Sequence, residues 1–198
     1  SDVCSSDLIY LNMRDYDKAL EWLQKSALNQ YPLALKHLGD MYRLGLGVDK
    51  DYKEALEFYH LAADKGSVSA AASIGTMYDL GMGVERDILQ ALKWWTKAAE
   101  AGDSTAQYNL GNAYYYGNDS KQDYKLAYYW YKKSAENGQV QAQSKLGDMF
   151  WLGRGVKQSY KDSFTWYKKA ADRNDLRSQD NLGYIYTNAL GVKRNYSE

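Results

Sequence analysis

The stretch "ALKHLGDMYRLGLGVDKDYKEALEFYHLAADKG", residues 34–66, carries the pattern from which the fold follows. Its Leu-Gly pair, with an aromatic residue three positions on, returns along the chain at a fixed interval. The glycines are Gly39, Gly75, Gly111, Gly147 and Gly183, each 36 residues after the last with no insertion. Such a period is the mark of stacked structural repeats. Other columns keep the same register. Ala34, Ala70, Ala106, Ala142 and Ser178 stand five before the glycines, and Tyr42, Tyr78, Tyr114, Phe150 and Tyr186 three after them. Further on come Ala55, Ala91, Ala127 and Ser163, then the aromatic pairs Phe58-Tyr59, Trp94-Trp95, Trp130-Tyr131 and Trp166-Tyr167.

The spacings within a copy are helical, and each copy has room for two helices, A and B. In A, Ala34, Leu38 and Tyr42 recur every fourth residue and share one face, while Gly39 leaves space for another backbone to approach. In B, Tyr52, Ala55, Tyr59 and Ala62-Ala63 form a second stripe. Helix B is predicted to open at Asp51, Asp87, Asp123, Ser159 and Asn195, whose side chains can accept from the free amides of a first turn. Asp51 with Glu54 and Asn195 with Glu198 resemble capping boxes. Helix B is predicted to stop at Gly66, Gly102, Gly138 and Asn174, residue types that adopt the left-handed conformation past a helix end. One hairpin cannot bury its own stripes, so the copies must stack. The expected fold is all-α, an α/α superhelical solenoid of helix-turn-helix repeats. A single repeat domain is expected over residues 8–198, with full copies at 31–66, 67–102, 103–138 and 139–174 and partial ones at 8–30 and 175–198.

Composition fits this reading. Twenty Tyr and six Trp against one Pro favour aromatic wedges between helices over turn-rich β structure. Lys plus Arg and Asp plus Glu both number 25, so no whole-chain field draws it to nucleic acid. No apolar run approaches the roughly 20 residues that cross a bilayer.

With these columns in place, the pattern of residues 34–66 resembles the Sel1-like repeat family, relatives of the tetratricopeptide repeat. The tetratricopeptide period is about 34, and its pattern lacks the Gly-x-Gly-Val loop found here at 45–48, 81–84 and 153–156. The resemblance runs from about Asp15 onward. It implies an adaptor that holds protein partners in bacterial signalling, envelope or host-interaction complexes. The family also has disulfide-rich secreted members, which need paired cysteines in their repeats. Cys4 is the lone cysteine and lies outside the repeats, so the compartment implied is the cytoplasm or periplasm of a bacterium, without structural disulfides.

"SDVCSSDL", residues 1–8, fits no column. Written back into codons it is similar to the translated end of a sequencing adapter, and residues 1–7 are expected to be non-native. "RNYSE", residues 194–198, stops as another helix B begins, so the chain is expected to be a fragment of a longer protein. The helix at Asp15–Gln30 then lacks its A partner and the helix near Ser178 its B partner, which points to self-association through exposed apolar ends.

Nothing in the residues calls for catalysis, a cofactor or a metal. His37 and His60 lie on different helices without a partner at metal-ligand spacing, and are expected to be solvated or half-packed. Asp40 and Asp148 read as carboxylates of a solvated helix face. The Gly-x-Gly element follows a helix and recurs, whereas a dinucleotide site needs a preceding strand and a third glycine. It is therefore read as the turn from A to B. The third copy departs with Asp119 and Ser120 where Gly and Val belong, and the fifth has Ala189 in place of the first glycine.

A partner is expected in the concave groove lined by helix A. Positions six and three before the repeat glycine, and one and four after it, cluster away from the packing stripe. In the first full copy these include Lys36, Asp40 and Arg43, and in the second Thr76 and Asp79. The third supplies Tyr108, Asn112 and Tyr115, the fourth Ser144, Asp148 and Trp151, and the last Asp180 and Tyr184. Aromatic anchors dominate interface energies, although Tyr115 and Trp151 could equally pack between neighbouring A helices. The expected function is thus a non-catalytic scaffold for a peptide or protein segment. The alternative is an envelope-associated hydrolase or a protein that binds glycan or peptidoglycan.

Overall fold

A computed structural model describes residues 15–117 and 121–191. The described residues hold ten helices, and their boundaries follow the repeat columns. Helices of type B are α1 (Tyr16–Leu28), α3 (Tyr52–Asp64), α5 (Ile88–Glu100), α7 (Tyr124–Glu136) and α9 (Tyr160–Ala171). Helices of type A are α2 (Pro32–Leu44), α4 (Val68–Leu80), α6 (Ser104–Tyr116), α8 (Val140–Leu152) and α10 (Leu176–Thr187). They fall into two compact units, Ser1–Ala101 and Gly102–Glu198. Expectations for residues 1–7 with Cys4, for Asp119 and Ser120, and for the cap at Asn195 lie outside the described residues.

The helix ends are set by local chemistry. Asp51 Oδ1 accepts from the amides of Lys53 and Glu54 at 2.8 and 3.1 Å. Asp87 and Asp123 repeat the arrangement, and Ser159 accepts from the amide of Asp162. Each cap satisfies amides that have no carbonyl one turn back. The single proline, Pro32, opens α2, where its missing N–H costs nothing. Past α3, α5, α7 and α9, Gly66, Gly102, Gly138 and Asn174 take φ of 89°, 97°, 84° and 65°, as their residue types allow, and past α1 Gln30 takes φ 57°.

The repeat glycine explains the packing of A on B. A Cβ placed on Gly39 would lie 2.6 Å from the ring of Tyr59, and one on Gly75 2.5 Å from Trp95. Gly111 and Gly147 meet Tyr131 and Tyr167 in the same way. In each of these four hairpins, then, a B-helix ring lies on bare A-helix backbone. Ala, Leu and Met fill in around that contact. In the first unit Leu23, Ala34, Leu38 and Met41 form one buried cluster, and in the second Ala127, Tyr131, Ala142, Leu146 and Met149 belong to another.

The Gly-x-Gly turn has two parts. Its first glycine ends helix A in the left-handed conformation, with φ of 71°, 65° and 69° at Gly45, Gly81 and Gly153. Its second glycine presses on the first turn of the preceding helix B: a Cβ on Gly47 would collide with Tyr16, on Gly83 with Tyr52 backbone, and on Gly155 with Tyr124 backbone. Val48 and Val156 pack inward against the two clusters. In the third copy the turn is still bridged, since the Asp123 amide donates to the Tyr114 carbonyl at 2.8 Å as Asp51 does to Tyr42 at 3.0 Å.

Two outcomes test this account. Gly147→Ala should destabilise the protein by about 1–3 kcal/mol through overpacking, whereas Gly183→Ala, with nothing within 4 Å of the added atom, should be neutral or raise stability by up to about 1 kcal/mol. Urea unfolding distinguishes them, and equal effects would contradict the ring-on-glycine account. Ala189 holds φ 50°, so Ala189→Gly should relieve about 0.5–1 kcal/mol of backbone strain, read as a higher Tm.

Candidate functional site

The face of helix A opposite the packing stripe is not the row of free side chains that its sequence pattern suggests. In the first unit Asp40 is the centre of a network. Its carboxylate accepts from the Tyr59 hydroxyl at 2.7 Å and from Lys36 Nζ at 2.6 Å, and Arg43 Nε donates to the same tyrosine oxygen at 3.1 Å. His37 Nδ1 stands 3.7 Å from the carboxylate, while its Nε2 is buried without a hydrogen-bond partner. Burial pushes the Asp40 carboxyl up, but the nearby His37 imidazole, the hydrogen bonds from Lys36 and Tyr59 and the Lys36 charge outweigh it and hold the pKa at about 2. Burial, then the Asp40 charge, drives the Tyr59 hydroxyl well above its ordinary range. His60 is half-buried edge-on to Trp94, and burial lowers its pKa. Thr76 donates back to the Ala72 carbonyl, and the backbone carbonyl of Asp79 accepts from Arg86 Nε at 2.8 Å. A cavity of about 220 Å³ lies beside Arg43, Thr76, Met77 and Leu80.

The same motif recurs in the second unit. The Tyr131 hydroxyl donates to Asn112 at 2.7 Å, and the Tyr167 hydroxyl to Asp148 at 2.8 Å. Asp148 is buried, at 8% exposure, and also accepts from Arg177 at 2.9 Å. Asp40 and Asp148 therefore are not solvated carboxylates: each is the acceptor for a tyrosine that reaches across from helix B, nineteen residues on. Where the acceptor position is Thr76, the B-helix residue is Trp95, and its buried Nε1 has no partner. Ser144 is buried too and accepts from the Ser178 hydroxyl at 3.1 Å.

Of the aromatic candidates, Tyr108 leans on Tyr131 at 5.8 Å between ring centroids. Tyr115 is 7% exposed, ringed by Tyr116, Tyr124 and Tyr131, and its hydroxyl accepts from Arg154 at 2.6 Å. Trp151 is half-buried between Tyr160 and Tyr184, with centroids at 4.8 and 5.8 Å. Tyr184 is 58% exposed and Asp180 is exposed. Tyr115, Asp148, Trp151 and Tyr184 line one cavity of about 480 Å³. Lys145, Arg154 and Arg177 also line it. Sequence reasoning did not single these cations out. Arg154 is the variable residue of a Gly-x-Gly turn, whose glycine pattern marks a connection and not a binding face. Arg177 stands six before Gly183, in register with the predicted face.

The described residues bring together no group of three or more His, Cys, Asp or Glu that could hold a metal, and none of their helices is long and apolar enough to cross a membrane. The Sel1 repeat model matches residues 13–31, 32–67, 68–103, 104–139, 140–175 and 176–198. The chain belongs to the Sel1 repeat family. Members of this family are generally non-catalytic protein-interaction scaffolds.

Among solved structures, a Sel1 repeat protein from Oxalobacter formigenes is 34% identical with a TM-score of 0.90, over 96% of this chain and 78% of that one. A protective antigen present in uropathogenic Escherichia coli strains, which displays an SLR fold, is 36% identical with a TM-score of 0.87. That match covers 92% of this chain, which spans 39% of the antigen's length. An immunity protein from Pseudomonas aeruginosa shares the fold at 22% identity and a TM-score of 0.60, over 86% of this chain and 62% of that one. No curated protein sequence matches.

The Asp40 network makes a pH prediction. Its pKa in the folded chain lies below the ordinary 3.8, so the stabilisation is complete above about pH 4 and is lost as pH falls through about 2. Asp40→Asn should therefore cost stability near pH 5 and progressively less toward pH 2. Urea midpoints across that range check it, and a pH-independent difference would contradict the network.

Proposed function

We propose that the chain is a non-catalytic scaffold that seats a peptide or protein segment on the variable faces of its A helices, chiefly in the cavity of the 102–191 portion. The observation that carries this reading is the cavity wall formed by Trp151 and Tyr184. Trp151 rests between Tyr160 of α9 and Tyr184, and Tyr184 remains largely exposed. A volume of about 480 Å³ falls in the range of about 300–1,000 Å³ usual for ligand sites, and an apolar wall with a few placed polar groups is their usual chemistry. The Asp40, Asn112 and Asp148 positions serve this reading indirectly: they fix the tyrosines of helix B and so hold the A-helix faces in shape. Lys36, Arg43, Thr76 and Asp79 form the corresponding face of the first unit, with a smaller recess.

Peptides selected from a random displayed library on the intact chain provide the test. Tyr184→Ala, and Trp151→Ala in a variant shown to keep its helicity, should each weaken the selected peptides about tenfold or more, which is about 1.4 kcal/mol. Leu89→Ala, at a 71% exposed position of α5, should leave them unchanged. Selected peptides that are insensitive to both aromatic substitutions would overturn the reading.

A further inference from the structure

The charges around the cavity point to the class of segment it takes. Three cations, Lys145, Arg154 and Arg177, line it against one carboxylate, Asp148. Asp148 is already engaged by Arg177 at 2.9 Å and by the Tyr167 hydroxyl. Lys145 Nζ donates to the Tyr116 hydroxyl at 2.6 Å, and Arg154 donates to that of Tyr115. Both acceptors are neutral, and neither cation forms an ion pair among the described residues. The Lys145 ammonium also sits 5.2 Å from the centre of the Tyr116 ring, and the Arg154 guanidinium 5.5 Å from that of Tyr115. The tyrosines thus hold two positive groups in place at the rim without neutralising them. Held donors with spare charge beside an aromatic wall favour a carboxylate carried next to an apolar side chain.

Resting on the reading above, we infer that this cavity binds an acidic peptide segment, with an Asp or Glu carboxylate meeting Lys145 and Arg154 and a neighbouring apolar side chain lying on Trp151 and Tyr184. Arg154 is fit for this role because it projects from the turn after α8 and is exposed. It is preset by its hydrogen bond to Tyr115, so little side-chain freedom is lost on binding. Lys145, about one and two-thirds turns before Trp151 on the same helix, places the second charge beside the aromatic wall.

The test uses the full chain and three fluorescein-labelled synthetic decapeptides that alternate Leu or Phe with Glu, with Gln or with Lys. Anisotropy should show the Glu peptide binding at least tenfold tighter than the Gln peptide, with an affinity that falls as salt rises. Lys145→Gln combined with Arg154→Gln should erase the difference between the Glu and Gln peptides. Arg154→Glu alone, at an exposed position, should shift preference toward the Lys peptide while circular dichroism stays unchanged. Equal binding of all three peptides, sensitive to Tyr184→Ala, would overturn the acidic class and leave the peptide seat standing. Binding by none of them would overturn both. Saturable heat of binding for inorganic phosphate at constant ionic strength, with no preference for the Glu over the Gln peptide, would assign the cations to phosphate and overturn the inference.

Discussion

A ring laid on bare backbone is the contact on which the repeat depends. Gly39, Gly75, Gly111 and Gly147 have no side chain because Tyr59, Trp95, Tyr131 and Tyr167 occupy the space. The close approach buries each ring fully or almost so, and buried aromatic rings of this size contribute much of a core's stability. It also has a polar consequence. A tyrosine pinned at its ring carries its hydroxyl to a set place, and a buried hydroxyl needs a partner. The residue after the glycine supplies one at Asp40, Asn112 and Asp148. The same contact that joins two helices therefore dictates part of the chemistry of the face beside them.

That coupling changes what the variable face can be. Side chains that a helical wheel places toward solvent are partly spent on holding tyrosines, and Ser144 is spent on Ser178 of the next A helix. What remains for a partner is narrower: exposed rings such as Tyr184, the half-buried Trp151, and cations set at the rim. One of those cations, Arg154, comes from a turn and lies off the helix face altogether.

Much of the architecture was legible in the residues because it is written in local terms. The glycine column, the Asp and Ser caps and the left-handed Gly or Asn after helix B act within a few positions of themselves, and the structure puts α3, α5, α7 and α9 where those signals fall. The face was less legible, since Asp40 and Tyr59 lie on different helices and no periodicity within one helix connects them. A signal did exist: the three copies with Asp or Asn after the glycine have tyrosine nineteen residues later, and the copy with Thr76 has Trp95 instead. Tyr115 was legible only as an aromatic on a helix; its burial depends on Tyr116, Tyr124 and Arg154, which meet it through tertiary packing.

The second glycine of the turn bears on how such a chain can grow or be rebuilt. Because Gly47, Gly83 and Gly155 rest on the opening turn of the helix B one repeat earlier, each turn is a spacer between neighbours as well as a link within its own hairpin. Lengthening it by one residue would spoil two interfaces at once, which disfavours drift of the period in the copies that carry this glycine. Duplication or recombination then succeeds only in whole repeat lengths, and a splice between unrelated arrays must carry a turn together with the helix it leans on. The interchangeable module is offset from the hairpin seen in the sequence: it begins at one helix B and ends at the glycine that covers it.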